Sequence, residues 1–173
     1  MSTISPIDNV AKQEVTALTQ HYIELAADHF KRDIPAIEVL FDLKGQAAGM
    51  YRVRRNQRCI RYNPWLFAKY YQDNLANTVP HEVAHYICDR LYGLRRIKPH
   101  GNEWRDVMMM FGAEPQRTCH YELDGIPRRR QQRHPYRCAC REHELSAVRH
   151  RRHQSGRAQY LCRYCKQPLI SVR

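Results

Sequence analysis

The run His81-Glu82-Val83-Ala84-His85 reads H-E-x-x-H. On a helix, residues four apart share a face, so His81 and His85 can offer imidazole nitrogens to one metal ion. Glu82 follows the first histidine directly, where its carboxylate can reach a water on that metal without being a ligand itself. Two neutral imidazoles and one nearby base are what metal-assisted hydrolysis of an amide requires. The flanking residues Val79, Val83, Ala84, Tyr86, Ile87 and Leu91 predict a helix buried on at least one side. Pro80 falls in its first turn, where a missing N–H costs little. The bland alternative is a core helix that carries two histidines by chance. The intervening glutamate argues against it.

The chain around this motif has 173 residues, enough for one domain or one with a small appendage. A hydrophobic fraction of 43% argues against disorder throughout. A formal charge of +12 attracts polyanions, nucleic acid first among them. No apolar run reaches the roughly 18 residues of a membrane span, so no membrane partner is expected. The first residues, Met1-Ser2-Thr3-Ile4-Ser5-Pro6, lack a basic segment followed by an apolar one, and the expected compartment is the cytoplasm. Seven cysteines, four of them in two close pairs, then suggest metal binding rather than disulfides.

Outward from the motif, Val15, Leu18, Tyr22, Leu25 and Ala26 repeat at helical spacing, predicting a helix over about 8–30. Residues 38–43, 50–54 and 59–62 read as three short strands, joined by turns at 45–49 and 55–57. They predict an antiparallel meander. Asn63-Pro64 ends it and starts a helix, and the motif helix follows over about 78–92, with Gly93 at its C-terminal cap. A further helix is expected through Trp104, Val107, Met108 and Phe111. From Pro127 the composition shifts: residues 128–173 hold thirteen Lys or Arg against two acidic residues. The predicted division is 8–126 and 127–173.

A catalytic zinc of this kind takes three protein ligands and leaves a fourth position to water. A third histidine six residues after His85 is excluded, since Leu91 stands there. The remaining candidates are Glu103 and His100. H-E-V-A-H-Y followed by K-P-H-G-N-E-W-R, behind a hairpin region ending in N-P-W, resembles the SprT-like family, which includes the Spartan DNA–protein crosslink proteases. The resemblance covers the chain from about residue 10 onward. It implies a zincin-like minimal metalloprotease core with His100 as the third ligand, leaving Glu103 outside. It further implies Glu82 as general base on a zinc-bound water. Tyr86, Arg95 and Arg105 are candidates to stabilise the oxyanion.

Cys138-Ala139-Cys140 and Cys162-Arg163-Tyr164-Cys165 are separated by 21 residues. Four thiolates on two short turns suit a closed structural zinc, giving one catalytic and one structural Zn2+. His143, His150 and His153 lie between the pairs, so a mixed site stays open. The resemblance implies a zinc-ribbon-like module here and favours the four cysteines. Cys59, Cys88 and Cys119 read as core residues. Arg128, Arg129, Arg130, Arg133, Arg149, Arg151 and Arg152 can bind phosphates, with Tyr136, Tyr160 and Tyr164 as stacking platforms for unpaired bases.

The fold class expected is α+β: an N-terminal helix, a three-stranded antiparallel sheet, an active-site helix pair and a C-terminal ribbon. Two functions compete. One is a zinc metalloendopeptidase that cleaves proteins associated with or crosslinked to DNA, single strands included. The other is a zinc-stabilised nucleic-acid-binding protein whose H-E-x-x-H site is inactive or structural. Glu82 separates them, because a purely structural metal site has no use for a base beside its ligands.

Overall fold

The computed structural model describes residues 4–55, 57–116, 120–127 and 132–172. Cys119 and Arg128 to Arg130, singled out above, lie outside these residues. The chain divides into two compact units, Met1–Arg128 and Arg129–Arg173. The fold is mixed α and β with two small sheets.

In the first unit, α1 (Asn9–Phe30) begins where Asp8 Oδ1 accepts from the Ala11 N–H at 2.9 Å. Such a cap is worth about 1 kcal/mol. The helix ends at Lys31, in the left-handed region at φ 50°, whose N–H returns to the carbonyls of Ala27 and Asp28. Val15, Ile23 and Ala26 on its buried face join the main core. Thr19 sits among them and exchanges a hydrogen bond of 3.0 Å with the Tyr62 hydroxyl.

Strands β1 (Glu38–Leu40), β2 (Gly49–Arg54) and β3 (Gln57–Tyr62) form a sheet in the order β1-β3-β2. The meander expected from the sequence is corrected at this point. β2 and β3 are an antiparallel hairpin, but β1 runs parallel to β3 on its far side, with Val39 opposite Ile60. The physical reason is the length of the β1–β2 connection. Eight residues, 41–48, carry the chain past β3, where a tight turn would have forced β1 against β2. β2 is therefore an edge strand.

Asn63 caps α2 (Pro64–Lys69), accepting from the N–H groups of Trp65 and Leu66. α3 (Tyr71–Asp73) and a π-helical turn, Asn74–Thr78, lead directly into α4 (Val79–Tyr92). Pro80 lies in the first turn of α4 and Gly93, at φ 79°, closes it. α5 (Asn102–Met110) packs Trp104, Val107 and Met108 against α4. Of the methionine run only Met108 is fully buried; Met109 is 60% exposed.

The second unit holds β4 (Arg133–Arg137), β5 (Glu142–Ser146), α6 (Ala147–Gln154) and β6 (Ile170–Ser171), with sheet order β5-β4-β6. Its core is small: Tyr136, Leu145, Cys162 and Leu169. His150 of α6 stacks on His134 of β4, ring centroids 3.7 Å apart, and shares a hydrogen bond with the Tyr136 hydroxyl. Among the described residues no helix is long and apolar enough to cross a membrane.

Candidate active site

His81 and His85 lie one turn apart on α4, and His100 reaches them from the loop after it. His100 stands at φ 56°, a left-handed conformation uncommon for a non-glycine residue. Gly101 then starts α5. The three Nε2 atoms converge at 3.3 Å (His81–His85), 3.0 Å (His85–His100) and 3.1 Å (His81–His100). Trp104 backs the cluster, its ring centroid 4.7–5.8 Å from each imidazole and its Nε1–H donating to the His81 carbonyl at 3.3 Å.

Burial holds the imidazoles neutral: His81 is lowered to about 4 and His85 to about 3, with neighbouring histidines adding to the effect. Three rings aiming nitrogens at one point suit a cation better than one another. Zinc about 2.0–2.1 Å from each nitrogen in a tetrahedral site separates its ligands by roughly 3.3 Å, so the spacing here fits. The grouped ligand atoms are those of His81, His85 and His100; Glu103 is not among them.

Glu82 is only 8% exposed. Its Oε2 accepts from the Tyr51 N–H at 2.6 Å, and Oε1 has no hydrogen bond to any described residue. Burial pushes this carboxyl up to about 7, against the Tyr51 bond, which lowers it. Glu82 and His81 line a cleft of about 450 Å³, with Ala48 and Gly49 on one wall and His120 and Tyr121 also lining it. The oxyanion candidates do not reach it. Tyr86 is buried and donates to the Pro35 carbonyl at 2.7 Å, while Arg95 and Arg105 are exposed and absent from its described lining.

The second unit brings Cys138, Cys140, Cys162 and Cys165 together, their sulfurs within 4.8 Å of one another. Cys138 and Cys140 stand 3.4 Å apart, and Cys140 and Cys162 3.7 Å. A tetrahedral zinc with sulfur ligands at about 2.3 Å spaces them by roughly 3.8 Å, so four thiolates fit as well. His143 Nε2 is 3.2 Å from Cys138 Sγ but does not join the four. His150 is engaged with Tyr136 instead.

The expected phosphate and base contacts separate on inspection. Arg133, Arg149, Arg151 and Arg152 are exposed. Tyr164 is 71% exposed and carries the Arg141 guanidinium 3.6 Å from its ring centre; Arg149 approaches Tyr160 at 5.9 Å. Tyr136 is corrected: it is fully buried in the small core and has no face to offer a base. Sequence reasoning missed Arg141, Gly49, Tyr51 and the role of Trp104. Strand alternation could have placed Tyr51 with Val53 on one face, yet nothing in the sequence pairs it with Glu82.

The SprT-like family model matches residues 18–123. The chain is 36% identical to Protein SprT of Pasteurella multocida over 172 residues, 98% of this chain and 99% of that one. It is 42% identical to Protein SprT of Pseudomonas paraeruginosa and 40% to that of Vibrio parahaemolyticus, covering 84% and 85% of this chain and 86% of each relative. No solved structure matches. With the family model spanning all three histidines and full-length relatives aligned beyond it, the chain belongs to the SprT-like family.

Proposed function

We propose that the protein is a cytoplasmic zinc-dependent metalloendopeptidase with a zincin-like core, acting on proteins held on DNA and recruited there by its basic, ribbon-like second unit. One observation carries the reading: three imidazole nitrogens converge within 3.3 Å beside a buried carboxylate whose Oε1 accepts no hydrogen bond from any described residue. His81, His85 and His100 would hold the catalytic zinc, and Cys138, Cys140, Cys162 and Cys165 a structural one. Bound zinc supplies Lewis acidity toward a carbonyl oxygen and makes water a stronger acid.

The chain's own residues do the rest. Glu82 takes the proton of the attacking water on Oε1 and delivers it to the departing amine. Trp104 holds the imidazole cluster in place and keeps water from behind it. Ala48, with its short side chain, leaves room for an extended polypeptide along the cleft. In the second unit, exposed Arg149, Arg151 and Arg152 meet phosphates, and Tyr164 with Arg141 offers a stacking face for an unpaired base.

The Tyr51–Glu82 bond favours a second reading, a nucleic-acid-binding protein in which Glu82 serves only to fasten the helix. Glu82→Gln separates the two, since it keeps an acceptor oxygen and loses the base. Purified zinc-loaded protein is incubated with a DNA-binding protein, with and without single-stranded DNA. The peptidase reading expects DNA-stimulated cleavage by the wild type and none by Glu82→Gln at equal zinc content. Equal cleavage by the variant, or none by a DNA-bound wild type, overturns it.

A further inference from the structure

We infer that edge strand β2 is the seat of the general base, with Gly49 and Tyr51 as positioning residues for Glu82. This rests on the peptidase reading and adds the part of the chain that sets where the carboxylate stands.

Three observations converge. First, Glu82 crosses the backbone of β2 too closely for any side chain beneath it. A Cβ on Gly49 would lie 2.6 Å from Glu82 Cγ and 2.8 Å from both Glu82 Oε1 and Thr78 Cγ2. The φ of Gly49 is not positive, so its conformation is open to other residues. What excludes them is the glutamate. Second, β2 pairs with β3 on one edge only, and the outward N–H of Tyr51 on the free edge is taken by Glu82 Oε2 at 2.6 Å. That bond fixes one oxygen, and the other, Oε1, lies over Gly49 beside the cleft that both residues line.

Third, Tyr51 is fastened at its other end to the same helix. Its hydroxyl donates to Asp89 Oδ2 at 2.6 Å, and Arg58 Nε of β3 donates to the same oxygen at 2.7 Å. Glu82 and Asp89 are seven residues apart, two turns of α4, and so share a face. The backbone and the phenol of one residue therefore grip the helix at two points, which sets the height of the strand against the base. A carboxylate displaced by about 1 Å can lose on the order of 100-fold in rate while substrate still binds.

The test uses the full chain with zinc. Gly49→Ala pushes on the flexible part of Glu82 rather than on backbone, so the expected result is a fall in kcat of about 100-fold with KM and zinc content unchanged. Tyr51→Phe keeps the ring and removes only the bond to Asp89. It is expected to lower kcat about 10-fold, again without a change in KM. A merely structural role would lower Tm and leave kcat intact at a temperature where both proteins are folded. That result overturns the inference.

A second readout is independent of cleavage. The Tyr51 amide, bonded to a carboxylate, is expected to resonate downfield and exchange slowly in the wild type, and to lose both features in Gly49→Ala. If the amide is the same in the two proteins, the seat does not exist, whatever the kinetics. If the amide responds but the wild type cleaves no protein, the seat stands and the peptidase reading falls.

Discussion

His100 and Glu103 sit three residues apart, one in the loop before α5 and the other in its first turn, and both residue types bind zinc. Geometry separates them. His100 turns its Nε2 to within 3.1 Å of both other histidines, at the expense of a left-handed backbone, and Glu103 stays out of the cluster. Second partners of metal ligands alone are worth about 10–100-fold in affinity, so loss of a ligand costs at least the top of that range. His100→Ala is expected to weaken zinc binding by about 100-fold or more, and Glu103→Ala by less than about 3-fold, in a competition titration against a chelating dye. The reverse order would make Glu103 the ligand. The three histidines and Glu82 were legible in sequence because helical spacing and a downstream motif carry them. Gly49 and Tyr51 were not, because their link to Glu82 spans more than thirty residues and runs through a backbone N–H, which every residue type but proline offers.

Elements were legible where the signal is local. The capping aspartate of α1, the Asn63-Pro64 start of α2 and the Pro80 and Gly93 ends of α4 are all read within a few residues. Strand order is not local. Whether β1 lies beside β2 or β3 depends on where residues 41–48 travel, and no residue type in that loop encodes the answer. What the arrangement does create is the junction of β2 and β3 with α4, centred on Asp89. Burial pushes that carboxyl up, but the hydrogen bonds from Tyr51 and Arg58 together outweigh it, and its pKa is lowered. A lowered carboxylate adds stability above its unfolded value near 3.9, and that stability is lost as pH falls through the lower folded value. Asp89→Asn is therefore expected to cost about 1–3 kcal/mol in urea unfolding at neutral pH. The difference from wild type should shrink below about pH 4. A gap that persists unchanged at low pH would mean the charge contributes nothing and only shape was lost.

At the scale of the whole molecule the two units differ in what holds them together. The first packs α1, the sheet, α4 and α5 around a large apolar core that includes Ile23, Ile60, Phe67, Tyr86 and Trp104. The second closes on Tyr136, Leu145, Cys162 and Leu169, with two of the four cysteines packed against them. About 45 residues with so small a core fall in the size range that needs a metal or another staple to fold, and a structural zinc site is worth on the order of 10 kcal/mol to such a domain. A zinc ion on the four sulfurs would supply what so small a core lacks. Metal analysis is expected to find about two zinc ions per chain, and about one in Cys162→Ser. In that variant, hydrogen exchange should show residues 132–172 exchanging fast, while the buried amides of α1 and α4 stay protected to nearly wild-type extent. Exchange that remains slow in the second unit would show that apolar packing alone folds it. Loss of protection in α4 as well would show that the first unit depends on the second.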